Sequence, residues 1–505
     1  MNTSTIATLA AIGLAALGAL GLSSCARTGL GSAAGGFECA SGAAAGSGGS
    51  GGSGGSVTTG GHGGTGGAPL LPCHLVEVGK PVATFAFVDP TWSFHHTGLA
   101  FRQAAADAGN GLRLVQTGEV DGIRTGVWQD DPVYAAEFDV SQWPPAVMHE
   151  PSQLFYSSHE PADVVELSPS AMGLAWSCDF DGSQPLGIRY LRFDATTWAA
   201  EPDRWLAEKA GPWSRPLRLD PADAIAATYV AADHFSSPYV YQGFAASFAF
   251  DGTALGEPQS LWVTDGDIDY TAVPQMHEAT TRSSVLVAVT FPSCTNLVSE
   301  FCQDRSIVVL YSPAPDASGV LSPLSLTMSL AARDVTKWPM EPQILTDGQG
   351  HNWLTWWEAD PAATKGIPRS LYAQALTDDG VAASPVELWF SSPDAAAAWF
   401  PRRTAGVGPI GVIYPVDVPI QTDGVWTERE IHLLHRQLES QEPLEDIVLT
   451  TTYTGWPATT AQMVQPGKAR TVFVGCSNYP AGTNDSGFGE LHRFQCEEDQ
   501  SLPGH

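Results

Sequence analysis

The stretch that decides the fold is YAQALTDDGVAASPVELWF, residues 372–390. It reads as a short strand, an acidic turn around Gly380 and a second strand entered through Ser384-Pro385. Proline has no N–H to donate to a ladder, so it belongs at the start of a strand or on a sheet edge. These prolines therefore suit the entry to an outer strand. The arrangement recurs in ASFAFDGTALGEPQSLWV, residues 246–263, and its proline marker stands at Arg215-Pro216, Glu257-Pro258, Ser322-Pro323, Ser384-Pro385 and Glu442-Pro443.

A second marker, an apolar or aromatic residue followed by proline, runs in parallel at Trp143-Pro144, Val273-Pro274, Trp338-Pro339, Phe400-Pro401 and Trp456-Pro457. The last four prolines are 65, 62 and 56 residues apart, and the first gap of 130 leaves room for a degenerate unit at Asp220-Pro221. One further unit back lies Pro81. Between markers the chain alternates strand and turn, as in NWLTWWEAD followed by SLYAQALTDDG, with β-branched and aromatic runs separated by Gly, Pro, Asn and Asp. Only AAEPDRWLAEKAG, residues 199–211, reads as helix, inserted in a loop. Four-stranded units of roughly 60 residues resemble the blades of a β-propeller. The expected fold is all-β, with seven four-stranded blades across residues 71–505; sandwich repeats in tandem are the alternative. The last unit holds three strands, TTAQMV, RTVFVGC and GELHRFQC, so HLVEVGK, residues 74–80, is expected to add the fourth and close the ring. No WD dipeptide at the repeat period, kelch double glycine or clean Asp-box points to a named propeller family.

Ahead of this domain, Ile6 to Leu22 is a run of Ala, Leu, Gly and Ile that is too short to span a bilayer and reads as the core of a signal peptide over residues 1–24. It ends in Leu22-Ser23-Ser24-Cys25, which resembles the lipobox of bacterial lipoprotein precursors. The resemblance implies lipidation of Cys25 and membrane contact through that anchor. Residue 26 is alanine, not the aspartate of inner-membrane retention, so the implied address is the outer membrane or cell surface. Ordinary secretion to the periplasm or medium, with cleavage elsewhere, is the alternative. Residues 25–70 are almost all Gly, Ser, Ala and Thr. Such a chain cannot repay its ordering entropy and behaves as a coil spanning about 35–40 Å. Gly51-Gly52-Ser53-Gly54-Gly55 matches a nucleophile elbow by chance, because the strand and helix that the motif needs are missing.

With 54 acidic against 24 basic residues the net charge is −30, which repels nucleic acid and anionic lipid. The expected partner is an envelope protein or glycan, and the expected state a monomer. Of the eight cysteines, Cys25 is reserved for lipid. Cys294 and Cys302 share one loop and form the first expected disulfide. Ring closure would place Cys73 beside Cys496, with Cys476–Cys496 as the competing hairpin bridge, while Cys39 and Cys178 have no clear partner. No C-x-x-C or close Cys/His spacing suggests zinc.

The tripeptide Met-His-Glu occurs twice, at 148–150 and 276–278. If its marker opens an innermost strand, His149, Glu150, His277 and Glu278 border the central channel, with Glu341, Arg402, Arg403 and Gln462 at equivalent places. Such a ring suits a metal, an anionic ligand or a sugar, and a His-Glu pair suits a general base and its orienter. Asp265, Asp267 and Asp269 space carboxylates like the start of a calcium loop, so Ca2+ is the cofactor to consider, although Tyr270 stands where that loop needs glycine. Asp179 and Asp181 are similar. Trp353, Trp356 and Trp357 suit either sugar stacking or blade packing. His95 and His96 sit in a segment read as a loop between strands. The functional expectation is a binding or interaction module; a propeller enzyme acting on carbohydrate and a purely structural surface protein are the alternatives.

Overall fold

The computed structural model describes residues 73–498, apart from 85–91, 104–111, 123–130, 158–162, 169, 179–186, 209–216, 220–221, 234–239, 267, 269–271, 348–349, 360–368, 393–405, 409, 423–424, 438–443, 452–458, 464–470 and 479–487. The described residues are all strand and connection, with no helix. The chain opens with β1 (Cys73–Glu77) and β2 (Val82–Thr84). Blade 1 is β3 (Trp92–Gln103), β4 (Leu112–Gly122), β5 (Asp131–Asp139) and β6 (Ala146–Ser157). Blade 2 is β7 (Asp163–Ser168), β8 (Ala171–Cys178), β9 (Gly187–Asp194) and β10 (Arg204–Glu208). Blade 3 is β11 (Leu217–Leu219), β12 (Ala224–Asp233), β13 (Val240–Ala249) and β14 (Gln259–Thr264). Blade 4 is β15 (Gln275–Thr280), β16 (Ser284–Phe291), β18 (Ser306–Pro313) and β19 (Ser325–Ala331), while the short β17 (Leu297–Val298) pairs back onto β14. Blade 5 is β20 (Trp338–Thr346), β21 (Asn352–Ala359), β22 (Arg369–Leu376) and β23 (Glu387–Ser392). Blade 6 is β24 (Gly406–Gly408), β25 (Gly411–Thr422), β26 (Val425–Arg436) and β27 (Glu445–Thr451). Blade 7 is β28 (Thr459–Met463), β29 (Thr471–Asn478) and β30 (Phe488–Glu498), completed by β1 and β2.

The first strands touch in sequence around a closed ring, β3 to β7 to β11 to β15 to β20 to β24 to β28 and back to β3. This is a seven-bladed β-propeller. β1 lies antiparallel on β30, with Leu75 opposite Cys496, so the first strand completes the last blade as expected. Glu445 of blade 6 accepts a hydrogen bond from Leu75 N at 3.3 Å and ties that strand to its neighbour.

Each apolar core is a slab between two blades. One joins Tyr241, Leu261 and Trp262 of blade 3 to Val287, Val289 and Phe291 of blade 4. Others join Leu286, Ile307 and Val309 to Leu354 and Trp356, or Ile413, Ile431 and Leu433 to Val472, Val474 and Phe494. A second strand is covered on both faces, which explains why β16, SVLVAVTF, and β21, NWLTWWEA, are buried at every position rather than alternately. Trp353, Trp356 and Trp357 belong to this packing, the last two at 0% exposure.

The proline markers are read correctly at most places. Pro258, Pro323, Pro385 and Pro443 precede the outer strands β14, β19, β23 and β27, and Pro274, Pro339 and Pro457 open or precede the inner strands β15, β20 and β28. Four of the expectations are corrected. Pro216 precedes the inner strand β11, not an outer one. Trp143-Pro144 leads into β6, the outermost strand of blade 1, and not into an inner strand. Its indole instead covers the join to blade 7, where Trp143 Nε1 donates to Lys80 O at 3.1 Å. The expected helix at 199–211 contains β10, a strand with Leu206 inward and Trp205 under the Arg189 guanidinium, because pairing with β9 outweighs local helix propensity. His95 and His96 lie within β3, where a bulge between His95 and Thr97 absorbs the extra residue.

Candidate functional site

The two Met-His-Glu copies do not converge. His149 lies on the outer strand β6, stacked on Trp198 of blade 2 with centroids 4.1 Å apart, and Glu150 is exposed beside it. The pair caps a joint between blades at the rim. His277 and Glu278 lie on the inner strand β15, as expected, but both are buried. His277 Nδ1 accepts a hydrogen bond from Ile344 N of blade 5 at 3.1 Å, which leaves the ring proton on Nε2. Glu278 accepts from Thr228 Oγ1 of blade 3. Neighbouring residues on one strand thus brace blade 4 on opposite sides, as the alternation of a β-strand dictates.

Glu341 is the predicted inner-strand residue that the fold leaves partly open among those described. The strand β20 reads WPMEPQILT, and Pro342 cannot donate to the ladder. The register jumps between Met340 and Gln343, and Glu341 takes a left-handed φ of 53°. A non-glycine residue in that region costs on the order of 1–3 kcal/mol, and such residues gather at functional sites. Its N–H donates to Gln275 Oε1 of blade 4, and its carboxylate lies 3.4 Å from Arg369 Nη1. Arg369 is 1% exposed, while the Glu341 side chain keeps 15%. Burial holds the Tyr414 hydroxyl of blade 6 above the usual tyrosine range, with the nearby Glu341 charge adding to the effect, so this phenol stays protonated.

In an antiparallel meander the start of the first strand, the end of the second, the start of the third and the end of the fourth share one end of the blade. Glu341 and Arg369, at the starts of β20 and β22, therefore lie on the same face of the ring as the loop between β16 and β18. That loop carries the expected Cys294–Cys302 disulfide. It is stitched to blade 3 by Ser299 Oγ donating to Leu261 O at 2.7 Å and by Asp265 N donating to Asn296 O at 2.7 Å. Asp265 is exposed there, whereas Asp267 and Asp269 lie outside the described residues, as do Arg402, Arg403, Asp179, Asp181 and Cys25. Gln462 falls on β28, with its backbone opposite Phe473. Cys496 is disulfide-bonded and Cys476 is a free, buried thiol, which overturns the competing Cys476–Cys496 bridge. The side chain of Cys73 lies outside the described residues.

Sequence reasoning missed Arg369 and Gln275, the two partners of Glu341. Pro342 directly after Glu341 was the available signal for both, since it forces the bulge that turns Glu341 toward them.

No protein family's model matches the chain, and no curated protein matches it. Among solved structures it is similar to an alpha-L-arabinanase of Penicillium chrysogenum complexed with arabinobiose, with a TM-score of 0.39, 11% identity and coverage of 83% of this chain and 98% of that one. It is similar to the alpha-L-arabinofuranosidase arb93a of Fusarium graminearum, with a TM-score of 0.38, 9% identity and coverage of 83% and 97%. The N-terminal domain of Nup159 gives a TM-score of 0.34, 9% identity and coverage of 82% and 100%. At these scores the likenesses carry no argument about activity, and the fold rests on the strand order and the closed ring of first strands.

Proposed function

We propose that the chain is an exported protein, anchored through a lipid on Cys25 and extended by residues 25–70, whose propeller is a monomeric binding module for an envelope partner. The observation that carries this reading is the use of the inner-strand acid and base groups as braces. His277 and Glu278 hold blade 4 to its two neighbours, and Glu341 is charge-compensated by Arg369. A glycosidase needs two carboxyl groups facing one bond across roughly 5–9.5 Å, and these groups are committed elsewhere. The Cys294–Cys302 bridge supports an oxidising compartment. The face carrying Glu341, Asp265 and the bridged loop is the binding face. Photo-crosslinking from position 265, compared with position 379 at the opposite end of blade 5, tests it in cells. One discrete crosslinked partner from 265 alone is expected; equal labelling from both would remove the face assignment. Palmitate labelling that disappears in Cys25→Ser is expected for the anchor, and labelling that persists would refute it.

A further inference from the structure

In blade 7, Cys476 of β29 stands directly opposite Glu490 of β30, and His492 follows two residues on, so all three side chains share the face turned toward blade 6. Their ligating atoms, Sγ, a carboxylate oxygen and an imidazole nitrogen, all lie within 4.8 Å of one another. Cys476 is 0% and His492 5% exposed, and the side chain of Glu490 keeps 15%. Glu77 of β1 holds the ring from behind, with its Oε1 2.8 Å from His492 Nδ1. That contact orients Nε2 into the cluster, where it lies 3.4 Å from Glu490 Oε2 and makes no well-formed hydrogen bond among the described residues.

We infer that Cys476, His492 and Glu490 bind a zinc-class divalent ion within the blade that closes the ring. A tetrahedral ion with bonds of about 2.0–2.3 Å spaces its ligands roughly 3.5 Å apart, which the imidazole and carboxylate already match. One thiolate, one imidazole and one carboxylate select a borderline-soft ion and disfavour Ca2+ or Mg2+, which take oxygen. A carboxylate behind the imidazole is the arrangement that fixes the tautomer and raises the basicity of a metal-bound histidine. Three protein ligands leave the fourth position of a tetrahedral ion open. The ion ties β29 to β30, and Glu77 carries the tie to β1. This inference is independent of the binding-module reading.

The test titrates the full chain with Co2+ and follows the thiolate-to-cobalt charge-transfer absorption. One Co2+ per chain with that absorption, displaced by Zn2+, is expected. Cys476→Ala should abolish the absorption, and Glu77→Gln should weaken binding by about 10- to 100-fold. X-ray absorption of the zinc-loaded wild type reads the same site without any variant and should show one sulfur with nitrogen or oxygen neighbours. A shell of nitrogen and oxygen alone, no binding at micromolar metal, or unchanged Co2+ spectra in Cys476→Ala would overturn the assignment.

Discussion

Replacing Gly380 with alanine tests how the blades interlock. The turn between β22 and β23 is closed by Thr377 N donating to Val381 O at 2.8 Å and Gly380 N donating to Thr377 O at 3.0 Å, with Gly380 at φ +77°. An L-residue there costs about 1–2 kcal/mol. A Cβ would also sit 2.8 Å from Val309 Cγ1, 2.9 Å from Thr327 Oγ1 and 3.0 Å from Leu286 Cδ2, all on blade 4. Val309 and Leu286 are fully buried and have no room to give, so overpacking adds about 1–3 kcal/mol. The sum for Gly380→Ala is about 2–5 kcal/mol. The equivalent Gly252, at φ +82°, has its nearest neighbour at 3.3 Å, so alanine there should cost little beyond the conformational part. Urea denaturation of both variants, with exposed Asp379→Ala as control, reads the difference as a shift in midpoint at unchanged slope. Equal losses at 380 and 252 would refute the interlocking contact, and a loss at 380 no larger than the control would refute the whole argument.

Three further outcomes follow from named contacts. Burial pushes the Glu445 carboxyl up, but His435 and the Leu75 N–H outweigh it and hold the group below its ordinary 4.5. A depressed acid stabilises the fold fully above its ordinary value and loses that contribution as pH falls through the folded value, so hydrogen exchange in β1 should quicken in that acid range and lose this dependence in Glu445→Gln. Thr228→Val removes the donor to buried Glu278 and should destabilise by about 1–3 kcal/mol, read as a lower melting temperature with little change in circular dichroism. Replacing Cys294 and Cys302 by serine opens a loop of separation 8 and should cost about 2–3 kcal/mol, with exchange quickening first in β17; a uniform change across all blades would contradict the local assignment.

Blades 3 to 5 were the most legible because they repeat one physical device. A left-handed glycine ends the third strand at Gly252 and Gly380, a proline enters the fourth, and a doubly covered second strand shows as a continuous apolar run. Blade 1 broke the period because Trp143-Pro144 serves the outer edge of the ring, and the same shift carried His149 to the rim. The segment at 199–211 misled because its local propensity suits a helix, whereas tertiary pairing to β9 decides its state. His277, Glu278 and Glu341 were placed on inner strands correctly, but the sequence does not show which neighbouring blade each side chain would reach. Cys476 and His492 stand 16 residues apart, wider than the spacing of a sequence-local metal motif; the hairpin of RTVFVGC and GELHRFQC brings them together across the ladder.

The most direct test of the central claim, that the inner-strand acid and histidine are braces in a binding module, is reducing-end release from a panel of oligosaccharides by the wild type and Glu278→Gln, with melting curves alongside. No release by the wild type and a lower melting temperature in the variant are expected. Release by the wild type that Glu278→Gln abolishes at unchanged melting temperature would contradict it and make the propeller a carbohydrate enzyme.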